Sequence, residues 1–437
     1  MKHPSPSLTP YGRRVSSGLA STALLFVLAL GAHAQTETVL YKLNGTTDGT
    51  YPRSGVVFDS AGNLFGTSLY GGLFNCRNTD NGCGAVWEIS PSSGGTWTET
   101  VIHTFASGND GATPYAGVVP DSAGNIYGAA AFGGNKTATN CVTNGCGVIF
   151  EFSPGSGGTW TETILHAFTG GRDGAVPYSG VIFDSAGNLY GTTASGGNLT
   201  APNCSGYGCG VVFKLSPTST GWKETVLHSF SGGRDGASPF ANLVFDSAGN
   251  LYGTTLTGGD TAGCSCGVVF KLSPVSGGWQ ETVLHTFTGT NGGNPQGALI
   301  FDPSGNLYGT TATGGENFGC DGDGCGTVFG LSPTSSGPWT PIKLHEFTDK
   351  NTSKGFYPIG GLARDSAGNF YGEASDGGPL NYGLIFKLSL VSGIWQDSTT
   401  FGFNLTDGAY PEGGLVFDSS GNLYGATTSG TVFEIVP

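Results

Sequence analysis

Seven near-copies of one short motif recur along this chain, and they constrain its fold more than any other feature. The fourth copy reads Val-Phe-Asp-Ser-Ala-Gly-Asn-Leu-Tyr-Gly-Thr-Thr over residues 244–255. A unit repeated at a near-constant period predicts a repeat architecture in which each unit packs on its neighbours. Each copy contains one aspartate, and these aspartates lie 53 to 63 residues apart at Asp59, Asp121, Asp184, Asp246, Asp302, Asp365 and Asp418.

One full unit, residues 242–287, is expected to form four strands. Alternating apolar residues, many of them β-branched or aromatic, are separated by short runs of Gly, Asn, Ser and Pro, which is typical of strands joined by tight turns. In the Asp-x-x-Gly-Asn turn, Gly and Asn tolerate positive φ and the Asp can accept backbone N–H groups. The expected strands are Asn242–Asp246, Leu251–Thr255, Gly267–Leu272 and Trp279–Phe287.

The repeat predicts an all-β fold, a seven-bladed β-propeller with four antiparallel strands per blade. No segment shows useful helical periodicity. A parallel β-helix is the alternative, although its coils lack tight hairpin turns of this kind. The last copy ends after its third strand, at residues 431–435, whereas residues 36–43 resemble a fourth strand without a repeat. Pairing these segments would close the ring and cover two strand edges. Residues 35–437 are therefore expected to form one domain.

Residues 1–34 are predicted to be a secretory signal peptide. Lys2, Arg13 and Arg14 precede an apolar run over residues 19–30, and Ala-His-Ala at 32–34 resembles a cleavage site. The run is too short for a comfortable membrane span. We therefore expect an exported protein, extracellular or periplasmic, without a membrane span.

The charge balance excludes some classes of partner. The chain carries 17 basic and 31 acidic residues, for a net charge of −14 at pH 7. This surplus of acid argues against nucleic acid and anionic membranes as partners. We expect a monomer that binds a glycan or an extracellular protein.

The ten cysteines form five local pairs at equivalent places in the first five repeats. An even number in an exported chain favours disulfides over a metal site, because no His or acidic residue lies at a fixed offset from the pairs. Only one residue separates Cys264 from Cys266. A disulfide in so tight a ring would be strained, so the sequence does not decide whether these two cysteines are bonded. The pairs are Cys76 and Cys83, Cys141 and Cys146, Cys204 and Cys209, Cys264 and Cys266, and Cys320 and Cys325.

Three motifs in succession resemble the Gloeo/Verruco (GloVer) tandem repeat. They read Gly-x-x-Phe-Asp-Ser-Ala-Gly-Asn-Leu-Tyr-Gly-Thr-Thr, Gly-Cys-Gly-x-Val-Phe-Lys-Leu-Ser-Pro and Trp-x-Glu-Thr-Val-Leu-His-x-Phe, and they cover essentially residues 36–437. The resemblance implies an exported bacterial protein whose repeats accompany varied surface-anchoring tails, with no established activity for the repeat. No tail follows the last repeat, which favours release or a periplasmic location over anchoring.

Residues shared by most copies are expected to be structural. The histidines lie on the outer strand of each blade, too far apart to share one metal ion. The motif aspartates are expected to cap their turns. A second set of aspartates precedes Gly in the loop that enters each blade, and we expect these to make turns as well. A calcium-binding collar is the alternative, although no calcium-loop spacing is present. The two remaining sets are His103, His166, His228, His285 and His345, and Asp48, Asp110, Asp173, Asp235 and Asp407.

Positions at which the copies disagree are the candidates for function. The loop entering each blade and the cysteine-bearing loop are expected on the same face, where ligand sites favour loops on a rigid scaffold. Aromatic candidates come from blades one to four and acidic ones from blades six and seven, where Glu373 replaces a repeated Thr or Ala. The predicted ligand-binding residues are Arg53, Tyr70, Tyr115, Phe132, Tyr178, Phe240, Gln296, Glu373, Asp376 and Glu412.

Aromatic rings beside carboxylates suit an uncharged polar ligand such as a glycan. The sequence therefore favours a non-catalytic binding module without a cofactor, although unconstrained drift of loop residues would leave a similar pattern. A protein-interaction or surface-structural module is an alternative, because the fold alone cannot choose. A carbohydrate-active enzyme using paired carboxylates such as Glu373 and Glu412 is another. No nucleophile motif, phosphate loop or zinc-ligand set accompanies them.

Overall fold

A computed structural model gives the architecture for most of residues 36–436. It describes residues 36–436 except 73–75, 77–80, 139, 142–143, 205, 261–262, 317–319, 321, 335–336 and 349–353. The expected signal peptide, residues 1–34, lies outside the described residues.

Seven antiparallel sheets form the seven blades of a propeller, as predicted. The first strands are Val57–Phe58, Val119–Pro120, Ile182–Phe183, Val244–Phe245, Ile300–Phe301, Ala363–Arg364 and Val416–Phe417. The second strands are Leu64–Ser68, Ile126–Ala130, Leu189–Thr193, Leu251–Thr257, Leu307–Thr311, Phe370–Ala374 and Leu423–Ala426. The third strands are Ala85–Pro91, Val148–Pro154, Val211–Thr218, Val268–Val275, Thr327–Ser332, Leu384–Val391 and Thr431–Val436. The outer strands are Trp97–Thr104, Trp160–Ala167, Gly221–Ser229, Gly278–Thr286, Thr340–Glu346, Ile394–Gly402 and, in the seventh blade, Thr36–Lys42.

Strand boundaries differ from the expected ones in the fourth blade. The first strand keeps only Val244 and Phe245, because the residues before it leave the ladder and approach the propeller axis. The second strand extends to Thr257 and the third to Val275, both beyond the expected ends. The outer strand keeps its expected length but begins one residue earlier, since Val275 still pairs with Gly278 across the hairpin. This blade also gains a short strand, Ala237–Pro239, which pairs with the second strand. The described residues contain one 3-10 helix, Ser156–Gly158.

The two chain ends close the ring in the seventh blade, as predicted. The outer strand Thr36–Lys42 runs antiparallel to Thr431–Val436, with Thr38 opposite Glu434, and a register shift interrupts the ladder between Val39 and Tyr41. The backbone N–H of Leu43 extends the pairing to the carbonyl of Gly430 at 2.8 Å. The last blade therefore takes its outer strand from Thr36–Lys42, the first strand in the sequence.

The motif aspartates cap their turns, as expected. In the fourth repeat Asp246 Oδ1 accepts the backbone N–H groups of Ala248 and Asn250, each at 2.9 Å. Its Oδ2 accepts the side-chain amide of Asn250 at 2.6 Å and the hydroxyl of Tyr252 at 3.0 Å. The Asp, Asn and Tyr of the motif are therefore one hydrogen-bonded unit that fixes the hairpin between the first and second strands.

The hydrophobic core consists of clusters between neighbouring blades. The cluster between the last and first blades, for example, includes Leu40, Trp87 and Tyr424. The motif glycine is required because an aromatic ring of the third strand lies on it. A Cβ at Gly253 would be 2.7 Å from Cζ of Phe270 and 2.9 Å from Leu243. The glycine of the Tyr-Gly-Thr motif thus leaves room on the second strand for a large aromatic ring from the third strand.

We expect Gly253→Ala to reduce the free energy of unfolding by about 1–3 kcal/mol, because the added methyl overpacks Phe270. Adding Phe270→Leu to Gly253→Ala should cost less than the sum of the two single variants, since the smaller side chain vacates the contact. Denaturant unfolding of the three variants measures this coupling. Strict additivity would contradict the packing argument.

Buried carboxyl groups recur at the seams between blades. Glu162, on the outer strand of the second blade, faces His103 and Asp110 of the preceding seam, with Glu162 Oε1 3.9 Å from His103 Nε2. Burial raises the pKa of Glu162 to about 7; Asp110 raises it further and His103 opposes the shift. Burial likewise raises the pKa of the equivalent glutamates, which are Glu37, Glu99 and Glu224 (each to about 7) and Glu281.

These glutamates predict that stability increases as pH falls from about 8 to about 5. Their folded pKa values lie above the value of 4.5 expected for an unfolded chain, so the folded state binds more protons in this window. Below about pH 4 stability should fall, because the pKa values of Asp110, Asp173 and Asp235 are lowered by hydrogen bonds that oppose their burial.

Thermal unfolding between pH 4 and pH 9 checks this dependence. Glu162→Gln should flatten the slope between pH 5 and pH 8, whereas Glu88→Gln is the control, since Glu88 accepts a hydroxyl from Ser90 outside the seams. Stability that increases steadily up to pH 8 would contradict the assignment.

Candidate functional site

A cavity of about 390 Å³ lies on the propeller axis and is lined by all seven blades. Each blade contributes the loop before its first strand, which we call the rim loop. The residue after the repeated proline of each rim loop faces this cavity. In blade order these residues are Arg53, Tyr115, Tyr178, Phe240, Gln296, Ile359 and Glu412.

Backbone groups and small residues pack closely around the propeller axis, next to this ring of side chains. The N–H of Gly55 donates to the carbonyl of Gly413 at 2.8 Å, which joins the first and last blades. A Cβ at Gly55 would lie 2.7 Å from the carbonyl oxygen of Gly414. On the other side, the N–H of Gly180 donates to Asn242 Oδ1 at 2.7 Å. The rim side chains therefore stand on a close-packed frame.

Three aromatic rings from consecutive blades form one side of the cavity. Tyr115 and Tyr178 meet edge to face with centroids 4.8 Å apart, and Tyr178 and Phe240 lie 4.9 Å apart at an interplanar angle of 32°. Tyr115 also contacts Phe240 at 5.2 Å. Burial raises the pKa of Tyr115 to about 12, with the nearby Arg53 opposing the shift, so its hydroxyl is a donor at neutral pH.

An ion pair between the first and last blades forms the opposite side. Arg53 Nε lies 2.5 Å from Glu412 Oε2, with 21% and 13% of the two side chains exposed. The guanidinium also donates through Nη1 to the hydroxyl of Tyr115 and lies 4.8 Å from the ring centroid. Burial raises the pKa of Glu412, and the neighbouring Arg53 opposes the shift. Arg53 therefore links the polar and aromatic sides.

Glu373 lies behind this wall rather than in the cavity. It is fully buried, and its Oε2 accepts the N–H of Gly414 at 2.7 Å. Oε1 has no hydrogen-bond partner. Burial raises the pKa of Glu373 to about 8, and the nearby Glu412 raises it further, so the carboxyl is largely neutral at pH 7. Its position bridges the sixth and seventh blades, and it does not face the cavity together with Glu412.

The other predicted residues lie outside the ring of seven. Phe132 contacts the ring of Tyr178 edge to face, with the ring centroids 6.4 Å apart. Tyr70 contacts the ring of Tyr51 at 5.9 Å, and Asp376 Oδ2 accepts the hydroxyl of Ser375 at 2.9 Å. The structure thus brings six of the ten predicted residues to the cavity, namely Arg53, Tyr115, Tyr178, Phe240, Gln296 and Glu412.

The sequence prediction missed the residue before each repeated proline. Every one of these non-glycine residues has a positive φ, between 52° and 65°, a conformation that costs about 1–3 kcal/mol and clusters at functional sites. No turn signal marks them, because several are β-branched or aromatic. They are Tyr51, Thr113, Val176, Ser238, Asn294, Tyr357 and Tyr410.

Cross-blade hydrogen bonds hold these strained residues. The N–H of Thr113 donates to the carbonyl of Cys83 in the preceding blade at 2.7 Å. In the same way, the N–H of Val176 donates to the carbonyl of Cys146 at 2.8 Å. In the last blade the N–H of Tyr410 donates to the carbonyl of Tyr382, also at 2.8 Å; here the acceptor is not a cysteine. The loop between the second and third strands, here called the cysteine loop, therefore positions the next rim loop.

All five expected cysteine pairs are disulfides, including the pair whose bonding the sequence left open. They occur in the cysteine loops of the first five blades, and in each pair the second cysteine directly precedes the glycine that leads into the third strand. Five disulfides are typical of a protein exported to an oxidising compartment. The bonds join Cys76 to Cys83, Cys141 to Cys146, Cys204 to Cys209, Cys264 to Cys266 and Cys320 to Cys325.

The histidines have the packing role expected of them. His103 meets Phe105 edge to face at 4.8 Å and lies 3.5 Å from Asp110. Within the described ranges, no three His, Cys, Asp or Glu side chains are placed to hold a metal ion. No helix among the residues that the structure covers is long and apolar enough to cross a membrane.

The Gloeobacter/Verrucomicrobia repeat matches residues 9–202 and 199–435, almost the entire chain. The chain belongs to this repeat family. The GloVer resemblance read from the three motifs is therefore confirmed. No curated relative matches the sequence.

Several solved structures are similar to this member of the family at low sequence identity. A Bacteroides uniformis protein assigned as a 6-phosphogluconolactonase is 13% identical over 86% of this chain and 89% of its own, with a TM-score of 0.50. A fungal alcohol oxidase of family AA5, in complex with copper, is 11% identical over 92% and 76%, with a TM-score of 0.51. The Trichoderma reesei carbohydrate-active enzyme of family AA12 is 15% identical over 93% and 96%, at 0.43. At these identities the likeness to the first two structures concerns the fold alone.

The link between disulfides and rim loops predicts a local effect of removing one disulfide. Replacing Cys76 and Cys83 together by Ala should accelerate amide exchange at Thr113, whose acceptor is the Cys83 carbonyl. Exchange at Tyr410 should stay unchanged, because its acceptor lies in a cysteine loop without a disulfide. Hydrogen exchange followed by NMR or mass spectrometry measures both sites. Equal protection of Thr113 in the variant would contradict the link.

Proposed function

We propose that this exported propeller is a non-catalytic binding module that holds a glycan in its axial cavity. The observation that carries the proposal is the convergence of one repeat position from all seven blades on one cavity. At that position the repeats differ, with three aromatic rings on consecutive blades and an Arg–Glu pair across from them. Differing side chains on an identical frame are the usual way in which a symmetric scaffold acquires one asymmetric site.

The aromatic side suits the apolar face of a sugar ring. Tyr115, Tyr178 and Phe240 are partly exposed and support one another at 4.8 to 5.2 Å, so they are ordered before a ligand arrives. The cavity volume of about 390 Å³ lies in the range of small-ligand sites, which is roughly 300–1,000 Å³. This space suits a short segment of a chain or a chain end.

The polar side favours an uncharged ligand. Glu412 can accept sugar hydroxyls, Gln296 can donate and accept, and Arg53 retains N–H groups beyond those directed at Glu412 and Tyr115. Because Arg53 and Glu412 already neutralise each other, a charged ligand would have to compete with that pair. A neutral glycan can instead bridge the pair through hydroxyl groups.

We further propose that the mature protein acts in an extracellular or periplasmic compartment. The predicted leader at residues 1–34 and the five disulfides support this location, since disulfides persist in oxidising compartments.

A glycan array with the mature protein tests the proposal. We expect a neutral glycan to bind, and Tyr115→Ala/Tyr178→Ala to weaken that binding at least about tenfold, or 1.4 kcal/mol. The matched control is Tyr207→Ala, which removes a tyrosine that is 57% exposed and does not line the cavity.

Three results would overturn the proposal. Unchanged binding in the double variant would remove the site, and binding of a protein in place of any glycan would favour an interaction module. New reducing ends released from a polysaccharide, and lost in Glu412→Gln, would show an enzyme instead.

A further inference from the structure

A second cavity of about 290 Å³ lies at the seam between the fourth and fifth blades, away from the axis. It is lined by His285, Thr290 and Asn291 from one side of the seam and by Pro341 and Lys343 of the next outer strand. Phe329, Leu331 and Ile342 supply apolar surface, and Glu316 lies at its edge.

The cavity opens where the repeat loses an acidic side chain. In the fourth blade Leu272 pairs with Glu281, and in the fifth the equivalent Leu331 pairs with Pro341. The other six outer strands all carry an acid at this position, and each faces the preceding seam. These acids are Glu37, Glu99, Glu162, Glu224, Glu281 and Asp397. A side chain that fills this space at the other seams is therefore missing here.

Two neighbouring replacements make the same seam less acidic. Asn291 stands where the preceding seam has Asp235, and it performs the same turn function: Asn291 Oδ1 accepts the N–H of Thr288 at 2.8 Å, as Asp235 Oδ2 accepts that of Ser231 at 2.9 Å. Lys343 stands where the other outer strands have an uncharged residue, such as Val283. The turn carboxylate of the preceding seam is therefore replaced here by an amide, and Lys343 adds an ammonium group.

We propose that this cavity binds a small carboxylic acid, whose carboxylate occupies the place of the missing glutamate side chain. Asn291 Nδ2, which lies 3.2 Å from His285 Nε2, and the imidazole provide hydrogen bonds, and the apolar residues receive the body of the acid. The site is independent of the axial cavity.

Lys343 supplies the positive charge at the mouth. Its ammonium group lies 2.9 Å from Glu316 Oε1 and 2.8 Å from Glu346 Oε2. The Glu316 side chain is 75% exposed, so it can turn into solvent and leave one side of Lys343 to the incoming carboxylate. Exposed ion pairs of this kind contribute little stability.

Burial lowers the pKa of His285, so its ring is neutral at pH 7. A carboxylate bound beside the ring would raise that pKa, because opposite charge favours the imidazolium form. The other titratable groups around the cavity are Glu316, Lys343 and Glu346. The imidazole signal of His285 is therefore a direct report on occupancy.

NMR titration of the mature protein with butyrate tests this site, with butyramide as an uncharged probe of the same shape. His285→Gln identifies the His285 signal. We expect butyrate to shift that signal and raise the pKa of His285, leave the histidines of the other seams unchanged, and bind at least about tenfold more tightly than butyramide.

Pro341→Glu/Asn291→Asp gives the fifth blade the residues of its neighbours, and it should weaken butyrate binding at least about tenfold. Lys343→Val, on an exposed strand, should weaken butyrate but not butyramide, and it tests the site even if the first variant folds poorly. Equal affinity for butyrate and butyramide, no response at His285, or undiminished butyrate binding in both variants would overturn the proposal.

Discussion

Pairing between the first and last strands of the propeller is the constraint on which the rest of the structure depends. If these two strands did not pair, the edges of both would be left open, and the axis would no longer be enclosed. Here Thr36–Lys42 completes the seventh blade beside Thr431–Val436. The same closure places Arg53 of the first blade 2.5 Å from Glu412 of the last. The polar side of the axial cavity therefore exists because the ring is closed between these two blades.

Repetition gives the protein a frame, and departures from repetition give it candidate sites. The Asp–Asn hydrogen bonds of the hairpin and the ring over the motif glycine recur in all seven blades. In blades two to seven the motif Tyr also joins the hairpin unit, and a carbonyl of the preceding blade holds the rim loop. On this frame the position of Tyr115 carries six different residue types in the seven blades, and all seven side chains face the axis. Loss of one repeated glutamate at Pro341 opens a second cavity. Each of the two sites therefore arises at one repeat position where the residue type differs between blades.

Much of this architecture was predictable because it depends on local chemistry. The turn at Asp246 and the unpaired strand at residues 36–43 follow from residue types and spacing alone, and so does the convergence of Arg53, Tyr115 and Glu412 on one rim. The position of Glu373 was not predictable, since the side chain that replaces a small residue could point to the cavity or into the seam. The positive φ of Val176 was equally hidden, because a β-branched residue gives no turn signal and the hydrogen bond that holds this residue comes from Cys146 of the preceding blade.

A cross-linking measurement tests ring closure most directly. Thr38 and Glu434 are partners in the ladder of the seventh blade, so cysteines at both positions should form a disulfide in the mature protein. Mass spectrometry of the denatured, unreduced protein detects the bond, and the out-of-register pair Thr38→Cys/Val432→Cys is the control. Closure predicts that Thr38→Cys/Glu434→Cys cross-links within one chain and that the control pair does not. A cross-link between two chains, or none in either variant, would contradict it.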